Sequence, residues 1–205
     1  MKIFRILLTF VLTSFVAFAC NAQSAASVLD KAVAKLSKAS SVNCSFSASG
    51  DGGSTSGSFR SSGSKFQLKT PAGTTWFDGK NMWTSNSRTK EITLVNPSQQ
   101  EVNEINPFAY LNSYKSKYIT GFSKRKDNSR YLVLINPRDK KDPIKAVEIA
   151  INKKTFLPER FIIRDRNNKV STVYVKSLSI TKKNSASDFI CPVSSMSDYE
   201  LIDLR

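Results

Sequence analysis

Two periods of apolar residues divide this chain. From Ser24 to Ala39 the apolar positions Val28, Leu29, Ala32, Val33 and Leu36 recur at helical spacing, with Asp30, Lys31, Lys35 and Lys38 between them. This pattern predicts an amphipathic helix that Ser24 or Ser27 caps and Ser40-Ser41 ends. The period then drops to two. Val42, Cys44, Phe46 and Ala48 alternate with polar residues, and Gly50-Asp51-Gly52-Gly53-Ser54 is a turn. Short strands follow over Gly57 to Ser62 and Lys65 to Thr70, with Phe66 and Leu68 on one face. Next comes an aromatic hairpin, Thr74 to Trp83, turning at Asp78-Gly79-Lys80-Asn81. With Gly79-Lys80 at the centre, Phe77 opposes Met82 and Trp76 opposes Trp83, so both faces of the hairpin carry large apolar groups. A further alternating strand, Lys90 to Val95, ends at Asn96-Pro97.

Helical signals return in the middle. Ser98 caps a short stretch, Gln99 to Ile105, and Asn106-Pro107 opens a second, where Phe108, Tyr110, Leu111 and Tyr114 make an aromatic side. The remainder reads as strands: Lys117 to Ser123, Arg130 to Asn136, Ile144 to Asn152, Glu159 to Arg164 and Lys169 to Ser179. The pattern has no internal repeat and no linker, which predicts a single domain over residues 23–205. About ten antiparallel strands with few helices predict a mainly β fold, a strongly curved sheet or incomplete barrel. A closed barrel needs no cover. The opening helix and the Phe108 helix are therefore expected to lie across the concave side as a lid.

The first 22 residues are set apart from that domain. Lys2 and Arg5 precede an apolar run, Ile6 to Phe18, of about 13 residues, too short for the roughly 20 that span a bilayer. The segment reads as a signal peptide, cleaved before Cys20 or before Gln23, and export to the periplasm follows. Lipid anchoring at Cys20 is the rival reading.

Composition removes most chemistry. The chain has 31 Lys and Arg against 16 Asp and Glu, and no histidine. Without His there is no Ser-His-Asp or Cys-His nucleophile and no His-based metal site. Beyond the signal peptide only Cys44 and Cys191 remain, too few for a cysteine metal cluster, so no metal and no cofactor is expected. The two are either a disulfide or two separately buried thiols. Glu148 with Glu159, or Asp165 with Asp198, offers carboxylates for acid–base work, but nothing in their spacing joins them, and no enzyme is expected. The net charge, about +13 without Lys2 and Arg5, favours acidic partners. Its runs, Lys124-Arg125-Lys126, Arg138 with Lys140-Lys141, and Lys182-Lys183, read as solvated loop ends. Nucleic acid is not expected, since no basic-aromatic module is present.

Gly57-Ser58-Phe59, Lys65-Phe66, Trp76 to Trp83, Lys90-Glu91 and Asn96-Pro97, in this order, resemble the outer-membrane lipoprotein carrier protein family, LolA-like. Asn106-Pro107, Leu157-Pro158 and the closing Ile202-Asp203-Leu204 resemble its Bacteroidetes-type branch. The resemblance implies a half-open antiparallel barrel with a helical lid that carries lipoprotein acyl chains across the periplasm. Its partners would be acylated lipoproteins, an inner-membrane ABC-type exporter and an outer-membrane acceptor, with the carrier itself a monomer. One departure stands out. Where the best-studied branch has an arginine that latches the lid, this chain has Ser61-Ser62-Gly63-Ser64, and no latch residue is assigned. The acyl-chain wall is expected from Phe46, Phe59, Phe66, Leu68, Trp76 and Trp83 on the sheet, faced by Leu29, Val33, Leu36, Phe108 and Leu111 from the helices. A 16-carbon chain buried there would contribute on the order of 10 kcal/mol, so a releasing carrier must offset much of it. The remaining readings are a carrier of another lipid and a basic secreted protein that holds anionic partners.

Overall fold

A computed structural model describes residues 23–38, 41–106, 108–181 and 184–205. The proposed signal peptide, with Cys20, lies outside the described residues, as do Pro107 and Lys182-Lys183. The first helix, α1, spans Ala25–Ser37, and the Ser24 hydroxyl accepts from the backbone N–H of Ser27. Six strands follow: β1 (Ser41–Gly50), β2 (Gly53–Ser62), β3 (Lys65–Thr70), β4 (Gly73–Phe77), β5 (Met82–Asn86) and β6 (Glu91–Val95). Two helices come next, α2 (Gln99–Ile105) and α3 (Ala109–Lys117), and then β7 (Tyr118–Phe122), β8 (Arg130–Pro137), β9 (Ile144–Asn152), β10 (Pro158–Asp165) and β11 (Val170–Thr181). The chain closes with two 3-10 turns, Ala186–Phe189 and Val193–Ser195, and a short strand, β12 (Glu200–Asp203).

All twelve strands form one sheet, ordered β12-β6-β5-β4-β3-β2-β1-β11-β10-β9-β8-β7. Every pairing is antiparallel except β12 on β6, which is parallel. The sequence reading anticipated the antiparallel strands and missed β12. Its Leu201 is exposed, so Glu200–Asp203 shows no strong alternation to read. β1 sits in the middle of the sheet, bonded to β2 on one side and to β11 on the other. From β1 the chain winds outward by hairpins to β6, and it must then reach β7 at the far edge. The α2–α3 connection makes that crossing, and Val102, Phe108, Leu111 and Tyr114 pack with Phe59 and Phe161 in the main core, which puts it on the concave face.

The aromatic hairpin has the expected register, Trp76 opposite Trp83 and Phe77 opposite Met82. Asp78 holds its turn, with Oδ1 accepting from the backbone N–H of Lys80 at 2.8 Å and of Asn81 at 2.7 Å. Pleating sends the two pairs to opposite faces. Phe66, Phe77 and Met82 join the main core with Phe59, Val147, Ile149 and Phe161. Trp76 and Trp83 pack instead with Ile92, Cys191, Val193 and Met196, on the outer face beneath the C-terminal segment. Asp188 pins that segment: its carboxylate is 3.4 Å from the Arg60 guanidinium, and its carbonyl accepts from Gln67 Nε2 at 3.1 Å.

On the concave side α1 packs on β7, β8 and α3. The Tyr114 hydroxyl donates to Asp30 Oδ1 at 2.7 Å, and Lys115 Nζ lies 2.6 Å from the same oxygen. The Lys115 ammonium, followed by the Tyr114 hydroxyl, holds the Asp30 carboxyl below its ordinary value of 3.8. A depressed carboxyl stabilises the fold above its unfolded pKa and loses that contribution as pH falls through the folded value. Asp30 is half-exposed, so the α1–α3 tie should contribute less than about 1 kcal/mol. Thermal unfolding of wild type and Asp30→Asn should therefore differ at neutral pH and converge well below pH 3.8.

Gly57 marks a closer contact. A Cβ there would lie 2.1 Å from the Lys69 carbonyl oxygen of β3 and 2.9 Å from the Phe46 ring, which crosses the glycine from its paired position. Backbone on one side and a packed ring on the other leave no room. Gly57→Ala should cost about 1–3 kcal/mol in urea unfolding, and an unchanged midpoint would contradict this packing.

Candidate functional site

The concave face encloses an apolar chamber of about 120 Å³. Its sheet wall is Cys44, Phe46, Phe59 and Leu68 from β1–β3, completed by Ile163, Val173 and Val175 from β10 and β11. Ile105, Phe108 and Tyr110 of the α2–α3 connection close it. Among the described residues no charged side chain lines it. The volume is well below the roughly 300–1,000 Å³ of ordinary ligand pockets. The reason is visible in the packing. The Phe108 ring enters from the helical side, with its centroid 5.5 Å from Phe59 and 5.9 Å from Phe161, edge-on to the latter. Asn106 Oδ1 accepts from the Phe108 backbone N–H at 3.0 Å and holds the turn that aims this ring inward.

Polar grooves flank the chamber at both ends, each sharing one wall residue with it. On one side Ile163 is shared with a groove along the Gly50–Gly53 turn. Tyr110 is shared with a groove of about 550 Å³ rimmed by Lys117, Arg138 and Lys141. At the other end Phe108 borders a groove of about 280 Å³ that includes Leu36, Val42 and Ser62.

The residues expected to form the wall divide into three groups. Phe46, Phe59, Leu68 and Phe108 line the chamber. Leu29, Val33, Phe66 and Leu111 belong to the core around it, and Leu36 lines the neighbouring groove. Trp76 and Trp83 are on the other face of the sheet, contrary to the reading that grouped them with Phe66. The cause is the strand period. Trp76 pairs with Gln67, one residue from Phe66, so it cannot share that residue's face. The reading missed Ile105, Tyr110, Ile163, Val173 and Val175. The alternation of Val173 and Val175 with Thr172, Tyr174 and Lys176 was the available signal.

The cysteines are not bonded to each other. Cys44 is buried in the chamber wall, and Cys191 is buried in the outer cluster, its Sγ 3.9 Å from Met196 Sδ. The sheet lies between them, which rules out the disulfide reading. Burial pushes the Cys44 thiol up to about 12 and the Cys191 thiol up to about 11. The carboxylates are likewise dispersed. Glu148 lies between Arg125 and Arg160, and Glu159 accepts from Arg130 Nε at 2.5 Å. Among the described residues no group of His, Cys, Asp or Glu has the arrangement to hold a metal ion. Arg60, which faces Asp188 on the outer side, is turned away from the lid.

The family model described as outer membrane lipoprotein carrier protein LolA matches residues 15–167. The chain belongs to this family. The same fold occurs in an uncharacterised conserved protein from Thermus thermophilus, with a TM-score of 0.57 at 12% identity over 87% of this chain and 98% of that one. It occurs also in a DUF1329 family protein from Desulfovibrio piger, with a TM-score of 0.50 at 12% identity over 84% of this chain and 99% of the other. A LolA superfamily protein from Nitrosomonas europaea aligns at 14% identity over 82% of this chain and 97% of its own, with a TM-score of 0.42. No curated protein matches. Among the described residues no helix is long and apolar enough to cross a membrane.

Both thiols should be titratable in denaturant without reductant. In the native protein Cys44 should react with a maleimide only as fast as the α2–α3 cover opens. A single non-reactive pair in denaturant would restore the disulfide.

Proposed function

We propose that this protein is a periplasmic carrier of lipoprotein acyl chains, and not an enzyme. The observation that carries this reading is the chamber itself. Apart from the Tyr110 phenol its described lining is apolar, and the segment that closes it is the long connection between β6 and β7, packed on the concave face. Phe108 fills the space that cargo would take. The export signal in residues 1–22 supplies the compartment, and the family supplies the class of cargo. On this reading an inner-membrane ABC-type exporter hands over the lipoprotein, an outer-membrane acceptor receives it, and the carrier works as a monomer.

The energetics favour a shuttle. An acyl chain entering the chamber gains on the order of 0.8 kcal/mol for each methylene it buries. It must also displace the Phe108 ring from Phe59 and Phe161, and that loss offsets part of the gain. Binding is then strong enough for transit and weak enough for release. Grooves at both ends of the chamber accommodate cargo longer than the chamber itself, and the Lys117, Arg138 and Lys141 rim suits an acidic partner surface.

Lipoprotein release from exporter-containing vesicles tests the reading. Leu68→Glu puts a charge in the half-buried wall and should reduce cargo acceptance by at least about tenfold, since an unpaired buried charge is strongly opposed. Phe108→Ala removes the ring from the chamber. It should lower unfolding stability by about 3–5 kcal/mol while binding acyl chains more tightly. Trp83→Ala, on the outer face, should leave loading unchanged. Normal loading by a folded Leu68→Glu protein, checked by circular dichroism, would refute this chamber as the site. Native mass spectrometry of the periplasmic protein would tell lipoprotein from other lipid cargo.

A further inference from the structure

The sheet has a second distinctive surface, at the end where the β7–β8 turn, the β9–β10 turn and the N-terminal half of α1 meet. Three rings form a ladder there. Phe122 at the end of β7 lies 6.2 Å from Tyr131, and Tyr131 stacks 6.0 Å from Phe156. Phe122 is 45% exposed, which is unusual for a phenylalanine on a sheet. Phe156 has a backbone φ of 57°, a left-handed conformation that glycine takes freely and a bulky side chain rarely does. A phenylalanine at such a turn position is explained by what its ring does. It packs against the main core, stacks on Tyr131 and lies 4.8 Å beneath Lys31 Nζ.

Charge around the ladder is unbalanced. The nearby carboxylates are already engaged: Asp127 and Glu159 with Arg130, and Glu148 with Arg125 and Arg160. Asp30 is held by Lys115. Lys31, Lys124, Lys126, Lys153 and Lys154 have no carboxylate partner among the described residues. Lys153 donates to the carbonyls of Asp127 and Asn128 and sits 5.5 Å from the Tyr131 ring, which fixes its ammonium beside the ladder. The same end of the sheet holds the groove beside Phe108, since Ser61 and Ser62 end β2 where β8 begins and β9 ends.

We propose that this end is a docking surface for an anionic lipid bilayer, with the exposed Phe122 ring at the headgroup–acyl boundary and the lysines on lipid phosphates. An exposed Phe beside surface lysines buries its ring at the headgroup–acyl boundary, and unpaired lysines near an anionic leaflet are attracted over about a Debye length. A protein partner would need an apolar pocket placed to match the one exposed Phe122 ring as well as acidic groups for the lysines, whereas a fluid anionic leaflet supplies both without a preformed pocket. Docking here would present the Phe108 groove to the membrane from which an acyl chain is drawn. The binding itself does not depend on what the chamber holds.

The test is co-sedimentation with phosphatidylcholine vesicles, with and without phosphatidylglycerol, and without lipoprotein. It uses the exported protein carrying Cys20→Ser, so that no lipid can be attached there. Wild type should bind only the anionic vesicles, and binding should weaken with salt. Lys124→Ser with Lys126→Ser should lower binding roughly tenfold or more, given the usual contribution of each lysine near an anionic surface. Lys140→Ser with Lys141→Ser, in the β8–β9 turn at the far end, removes the same charge and should change it little. Phe122→Ser removes a ring that is 45% exposed at the end of β7, so the protein should stay folded and still lose affinity. Absence of binding to anionic vesicles would overturn the proposal and leave an acidic protein as the partner. Equal losses for the two lysine pairs would overturn it in favour of diffuse charge.

Discussion

The fold depends on one constraint: a strongly curved sheet with an apolar concave face cannot leave that face in water. A closed barrel would meet it by sealing the sheet on itself. Here the edges are β12 and β7, and β1 sits between two runs of hairpins. The chain therefore has to travel from one edge region to the other, and the route across the concave face is also the one that covers it. The α2–α3 connection is at once a topological necessity and a lid. It ends in a tie to α1, through Tyr114 and Lys115 on Asp30, that rests on a half-exposed carboxylate. Such a tie is inherently weak. The cover is held mainly by apolar contact, above all by Phe108.

This makes the two faces unequal. On the outer side the C-terminal segment packs Cys191, Val193 and Met196 onto Trp76 and Ile92, and β12 then hydrogen-bonds along β6. That brace combines aromatic burial with backbone pairing, which are costly to undo together. On the inner side the cover shares no strand pairing with the sheet. Opening the inner side breaks no strand pairing, so the molecule has a firm back and a yielding front.

Much of this was legible in the residues. The switch from helical to alternating period at Val42, the Asp78-Gly79 turn and the aromatic side of Phe108 to Tyr114 reflect local rules that tertiary context did not overturn. What failed was the assignment of faces across strands. A hairpin fixes that Trp76 opposes Trp83 and leaves open which pair faces the core, because both pairs are large and apolar. The offset between β3 and β4 decides it: Phe66 registers with Phe77, and Trp76 falls to the outside. The C-terminal segment was illegible for a related reason. Its 3-10 turns and short strand carry no period, and they take their structure from the tryptophan face they cover.

The cysteines follow from the same division. Cys44 and Cys191 are separated by the sheet, and each is buried in a different apolar layer. A link between them would tie the firm outer layer to the inner face and thread the sheet to do so. Keeping the layers chemically separate lets the inner face rearrange without disturbing the outer brace. The chamber wall around Cys44 and Phe59 stays a lining that side-chain movement alone can open, while the Trp76 layer holds the curvature that shapes it.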